Sequence, residues 1–124
     1  MLGKATATPM LAVHELDRAR RFYTDVIGAE VVGTVGEEVV NLRTGDSSFD
    51  IYRSQYAGTN KATALTFSVD DIEAEAAELK DKGVAFEHYD MDGLERQGDV
   101  YVAEGMKTAW FKDPDGNILS LIEG

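Results

Sequence analysis

The sequence predicts an α+β fold built from two βαβββ modules. In each half of the chain an alternating apolar strand leads into an amphipathic helix that ends at a glycine. The halves repeat at near-constant spacing: Val13 and Val69 lie 56 residues apart, Gly28 and Gly83 lie 55 apart. Near the end, Trp110 and Phe111 run into a Pro114-Asp115-Gly116-Asn117 turn, and an apolar alternation leaves it. Proline fixes φ at the first corner and glycine supplies a positive φ, so this segment joins two strands as a hairpin.

The first strand covers Thr8 to Val13, with Leu11 and Val13 on one face and Thr8, Met10 and Ala12 on the other. A helix follows to about Ile27, with Asp17 as its N-cap, an apolar stripe from Leu16 through Ala19, Phe22 and Tyr23 to Val26, and Gly28 as its stop. Three strands come next, at about 30–35, 38–43 and 48–53. Residues 54–61 are polar and form a linker between module one, about 8–53, and module two, about 62–122, of a single domain spanning 1–124. Module two repeats the order: a strand from Thr63 to Val69, a helix from Ile72 to about Lys82 with Ile72, Ala76 and Leu79 inward, then strands near 84–88, 101–103, 107–112 and 118–122.

Composition removes several classes of function. The net charge of −11 argues against nucleic acid and anionic membranes as partners and is compatible with a cationic ligand or simply with solubility. No apolar run approaches the ~20 residues that span a bilayer, and the first residues lack a secretory leader's apolar core, so a cytoplasmic protein is expected. With no cysteine, disulfides and thiolate chemistry are excluded.

The stretch from Val13 to Gly28, the stretch from Phe67 to Gly83, and the turn region from Gly105 to Leu121 together resemble the vicinal-oxygen-chelate superfamily, the glyoxalase, bleomycin-resistance and extradiol-dioxygenase group. The resemblance covers almost the whole chain. It implies that the modules' mixed sheets curl into a cup with the helices on the convex face. Leu11, Val13, Leu65, Phe67, Val69, Leu119 and Leu121 then lie under the helices. Thr8, Met10, Asn41, Asp50, Tyr52, Ala64, Thr66, Trp110, Ser120 and Ile122 line the cup. The resemblance further implies a homodimer.

Metal-using members of that group place one ligand on the first and one on the last strand of each module. Carried over by register, these positions become Thr8, Asp50, Ala64 and Ser120; Ser120 stands where such members have a Glu after the turn. Only Asp50 is a good ligand, whereas a divalent metal needs about three convergent donors from protein. A one-residue slip to Pro9, Leu65 and Leu119 is no better. No metal site and no cofactor are therefore expected. His14 at a strand–helix junction reads as a solvated loop residue, His88, Asp90 and Asp92 as a frayed strand end, and Asp113, Asp115 and Asn117 as a turn rather than a calcium loop.

Two functions remain. The first is a small-molecule-binding protein resembling the bleomycin-type resistance proteins, which sequester cationic, aromatic antibiotics. Its ligand would meet Thr8, Met10, Asn41, Asp50, Tyr52, Thr66, Trp110 and Ser120, with Tyr56 and Tyr101 as further candidate aromatics. The second is a glyoxalase-like lyase or isomerase, or a dioxygenase, using a relocated metal or Asp50 as general base. Asp50 reads equally as an ordinary polar lining residue.

Overall fold

Pro9 sets where the first strand begins. It has no N–H to give to a ladder, although its carbonyl accepts the Asp50 N–H at 2.9 Å. Strand β1 is accordingly Met10–Val13, and Thr8 lies outside it, exposed, so the expected start at Thr8 is corrected by two residues. The computed structural model describes residues 1–90 and 92–124, which divide into two units, Met1–Ala57 and Gly58–Gly124.

In the first unit, a short 3-10 turn at Leu2–Lys4 precedes β1. Helix α1 (Leu16–Arg21) follows and continues as a π-helical segment, Phe22–Val26, where the Ile27 N–H bonds the Phe22 carbonyl at 3.2 Å. Asp17 is not the N-cap: Glu15 occupies that position with extended φ and ψ, and Asp17 sits in the first turn, where a carboxylate complements the helix dipole. Gly28 adopts φ +85° and stops the helix as expected. Strands β2 (Glu30–Val35), β3 (Val39–Thr44) and β4 (Ser47–Arg53) complete the module. The sheet order is β1-β4-β3-β2, with β1 parallel to β4 and the other pairs antiparallel. Alternation sorts the side chains. Leu11, Val13, Val40, Leu42, Phe49 and Ile51 are buried on the face that takes α1, and the Tyr23 ring meets Phe49 edge-on at 5.6 Å. Burying each of these side chains contributes about 1.5–3 kcal/mol.

In the second unit, β5 (Thr63–Ser68) leads to α2 (Ile72–Asp81), whose N-cap Asp71 accepts the Ala74 N–H at 3.2 Å. Ile72, Ala76 and Leu79 are buried, and Gly83 ends the helix at φ +94°. Five strands follow: β6 (Phe86–Glu87), β7 (Glu95–Gln97), β8 (Val100–Ala103), β9 (Met106–Lys112) and β10 (Ile118–Glu123). The order is β5-β10-β9-β8-β7, with β6 also paired to β9, and β5 parallel to β10. The strand expected over 84–88 shrinks to β6 because β9 divides its free edge between β6 and β8. Leu119, Leu121, Ala109 and Phe111 are buried on the α2 face. Leu65, Phe67 and Val69 are only half-buried: β5 is the sheet's edge, and α2 packs on β9 and β10 instead. Both units thus follow the βαβββ plan, an α+β fold, with β6 and β7 as additional short strands in the second. Among the described residues no helix is long and apolar enough to cross a membrane.

The turn after β9 is built around Asp113. Asp113 is buried, and its Oδ1 accepts the N–H groups of Asp115 and Asn117 at 2.9 Å each while Oδ2 accepts Asn117 Nδ2 at 2.8 Å. The carboxylate is used up in closing the turn, as expected for a hairpin rather than a calcium loop.

Candidate functional site

In the first unit the sheet face away from α1 is mixed, apolar and polar side chains standing side by side. Met10 pairs with Asp50 across the β1–β4 ladder, and Asp50 pairs with Asn41 across β3–β4. Asn41 Nδ2 donates to Asp50 Oδ1 at 2.7 Å, a charge-assisted bond to a half-buried carboxylate. Asn41 in turn pairs with Gly33 on β2. A Cβ at Gly33 would stand 3.0 Å from Asn41 Oδ1, so the glycine leaves the room in which the amide lies. Tyr52 follows on the same face, paired with Ala12 and Val39. Tyr56 is exposed in the turns after β4, off the sheet.

In the second unit the corresponding row is Thr66, Ser120, Trp110 and Glu87, paired strand to strand across β5, β10, β9 and β6. The Thr66 and Ser120 hydroxyls share a hydrogen bond of 2.7 Å. Trp110 is half-buried, and its Nε1 donates to Thr63 Oγ1 at 3.2 Å. Two tyrosines press their rings edge-on toward the indole, Tyr101 at 5.2 Å and Tyr89 at 5.7 Å. The Tyr101 hydroxyl accepts the Tyr89 N–H. Desolvation, and after it the charge of Glu87, pushes the Tyr89 hydroxyl above the ordinary tyrosine range. Tyr89, Glu87 and Gly33 were not among the residues expected from the sequence. Tyr89 lies outside any strand, so no periodicity marks it, and Gly33's role shows only once Asn41 is placed opposite.

The register also moves the inherited metal-ligand positions. The first-strand residues beside Asp50 and Ser120 are Met10 and Thr66, two places beyond Thr8 and Ala64. The pair in the first unit offers one thioether and one carboxylate already bonded by Asn41, and the pair in the second offers two alcohols bonded to each other. Such donors do not suit a hard or borderline divalent ion. One carboxylate cluster exists elsewhere among the described residues, Asp71, Glu73 and Glu123. Lys107 Nζ sits on it, 2.8 Å from Glu73 and 3.9 Å from Glu123, while Glu123 also accepts the Ile72 N–H at 3.0 Å. The bond from Lys107 holds the Glu73 carboxyl below its usual range. This cluster anchors a lysine and the start of α2.

His14 is exposed in the β1–α1 junction. His88 Nε2 is 2.8 Å from Asp99 Oδ1, which ties its ring to the β7–β8 turn.

Comparison with known proteins agrees with this architecture. Solved structures with the same fold include a glyoxalase family protein from Enterococcus faecalis, 24% identical at TM-score 0.72, covering 99% of this chain and 100% of that one. Lactoylglutathione lyase from Agrobacterium tumefaciens is 21% identical at TM-score 0.70, with 98% and 94% covered. TnmS3, an antibiotic binding protein from Streptomyces sp. CB03234, is 20% identical at TM-score 0.64, with 97% of each chain covered. The family model for the Glyoxalase/Bleomycin resistance protein/Dioxygenase superfamily matches residues 6–121, and this chain belongs to that superfamily.

Proposed function

We propose that this protein binds a small planar organic molecule, preferably cationic, without a metal, in the manner of the drug-sequestering resistance proteins of its superfamily. The observation that carries this reading is the side-chain set at the inherited ligand positions. Met10, Asp50, Thr66 and Ser120 supply a single carboxylate, and aromatic surface stands on the same sheet faces at Tyr52 and Trp110. A carboxylate held by one neighbour, Asn41, attracts a cation, and an indole or phenol ring offers stacking and cation–π contact. A cationic group at Asp50 would contribute about 1–3 kcal/mol as a charge-assisted hydrogen bond.

Trp110 is the sole tryptophan, so its emission reports on its own sheet face without labelling. Titration with cationic aromatic compounds, bleomycin-type glycopeptides included, is expected to change that emission saturably. Asp50→Asn and Tyr52→Ala are expected to weaken binding. Ligands that bind tightly while leaving Trp110 unperturbed and both variants unaffected would show that the site lies elsewhere.

A second reading rests on Asp50 itself. Asn41 engages Oδ1 alone, which leaves Oδ2 available to take a proton from a bound substrate. Turnover by metal-stripped protein that disappears in Asp50→Asn would favour a glyoxalase-like lyase or isomerase over a binding protein.

A further inference from the structure

Arginine is distributed unevenly in this acidic chain. Four of its six arginines, Arg18, Arg20, Arg21 and Arg53, line one concavity of about 740 Å³ within the first unit. Its walls are the β1–α1 junction, helix α1, the β2–β3 turn and the end of β4. The volume falls within the roughly 300–1,000 Å³ of small-molecule sites. Met10, Asn41, Asp50, Tyr52 and Trp110 do not border it; Val39, which pairs with Tyr52, is the one residue it shares with the Asp50 sheet face.

The arginines differ in how they are held. Arg53 is locked by Glu38 through two bonds, Nε at 3.1 Å and Nη2 at 2.8 Å, and Arg18 stands 3.8 Å from Glu15. Arg20 and Arg21 are exposed and have no ion-pair partner among the described residues. Their helix is anchored from below: Ala19 and Tyr23 are fully buried, which fixes the backbone that carries the two guanidinium groups. Like charges gathered on one short helix repel unless something neutralises them. A forked guanidinium is matched best by a carboxylate or a phosphate, which it grips with two parallel bonds.

The wall also limits the ligand's charge. Glu15, Asp17 and Glu37 border the same concavity, so its surplus of positive charge is small and a polyanion would be repelled at the rim. Leu16 and Val39, both half-buried, supply apolar wall.

We infer that this cleft is a second binding site, distinct from the Asp50 and Trp110 positions, for a small organic molecule bearing one carboxylate or phosphate group, gripped by Arg20 and Arg21. The anionic group meets the two unpartnered guanidinium groups, and the apolar body lies toward Leu16 and Val39.

The test is an amide-resolved NMR titration of the full chain at low ionic strength with phenyl phosphate, benzoate and inorganic phosphate. Saturable shifts confined to residues 14–21 and 34–37 are expected from phenyl phosphate or benzoate, and weaker ones at the same residues from inorganic phosphate, because it lacks the apolar body. Whichever of phenyl phosphate and benzoate binds more tightly identifies the oxyanion. Replacing both arginines, R20Q with R21Q, is expected to lower affinity about tenfold or more, while R96Q, far along the chain, leaves it unchanged. Both arginines are exposed, and a thermal melt of the double variant confirms that it folds. Non-saturating shifts, shifts centred on other arginines, or equal affinity in the double variant would overturn the assignment. Trp110 emission is not expected to respond to these probes, so failure here leaves the reading of the sheet faces standing and the converse holds too.

Discussion

Asn41 and Asp50 face each other across the β3–β4 ladder, joined by a 2.7 Å bond from the amide nitrogen to the carboxylate. Gly33 leaves the amide its room: a Cβ there would stand 3.0 Å from Asn41 Oδ1, so the amide would have to shift by a few tenths of an ångström. Asn41→Ala removes the donor and leaves a half-buried carboxylate short of a partner, so a loss of about 1 kcal/mol is expected in urea unfolding. Gly33→Ala should displace the same amide while leaving its chemistry in place, and should weaken cation binding in the same direction as Asp50→Asn. Binding measured on the three variants side by side checks this; Gly33→Ala protein that binds as tightly as the parent would show that the pair plays no part.

A chain with these donors should not carry a stoichiometric divalent metal. Elemental analysis of protein purified without chelators or a metal-binding tag is expected to find far less than one zinc, nickel, iron or manganese per chain. One metal per chain, lost together with function on chelation, would mean that a donor set other than Met10, Asp50, Thr66 and Ser120 is in use.

The parts of this architecture that announce themselves in the sequence are those governed by local chemistry. Gly28 and Gly83 stop helices through positive φ, and Asp113 closes its turn with bonds to Asn117 four residues on. Alternation alone places Asn41, Asp50 and Tyr52 on one face and Phe49 and Ile51 on the other. What escapes a reading of the sequence is pairing. Thr8 and Met10 share a face in any register, and only the β1–β4 ladder puts Met10 rather than Thr8 beside Asp50. Strand β7, Glu95–Gln97, is polar and fully exposed, so it has no apolar periodicity to detect; it exists because β8 offers it an edge. Tyr89 reaches Trp110 from an irregular segment, a contact no spacing rule encodes.

Gly58 approaches the Pro114–Asn117 turn so closely that a Cβ would fall 2.1 Å from the Asp115 carbonyl oxygen, and its φ of +74° is unfavourable for any other residue. Gly58→Ala must therefore push the turn away and strain its own backbone. A destabilisation of about 2–4 kcal/mol is expected from the two effects together. Gly45→Ala is a suitable comparison, having positive φ and open space around it, and should cost less. Chemical denaturation of the two variants separates the clash from the backbone cost.

The first sheet ends in two open edges, β1 and β2, and both carry exposed apolar residues: Met10 at 50%, Val32 at 48% and Val35 at 63% exposure. Open edges of this kind are usually covered by another element or another copy. A homodimer of about twice the 13.6 kDa chain mass is expected in light scattering at moderate salt. A Val35→Lys variant should shift the balance toward monomer if β2 takes part; a parent protein that is monomeric at micromolar concentration would contradict the expectation.

Asp99 fastens three segments of the second unit. Its Oδ2 takes Lys80 Nζ of α2 at 2.8 Å, and its Oδ1 lies 2.8 Å from His88 Nε2, beyond β6, while the residue itself sits in the β7–β8 turn. The bond from Lys80 first, and that from His88 second, holds the Asp99 carboxyl below its ordinary value of 3.8. A carboxylate whose pKa is lower in the folded chain binds fewer protons there than when unfolded, so its contribution is complete above the unfolded value and disappears as pH falls through the folded one. Asp99→Asn should therefore destabilise the protein near neutral pH, by about 0.5–1 kcal/mol for partners as exposed as Lys80 and His88. The gap between variant and parent should stay constant down to about pH 4–5 and then close as the parent's own carboxylate is protonated. Urea midpoints measured across that range test the sign directly: a gap that widens in acid would mean that Asp99 is held in its protonated form, and the Lys80–Asp99–His88 bridge would have to be abandoned as the source of its stability.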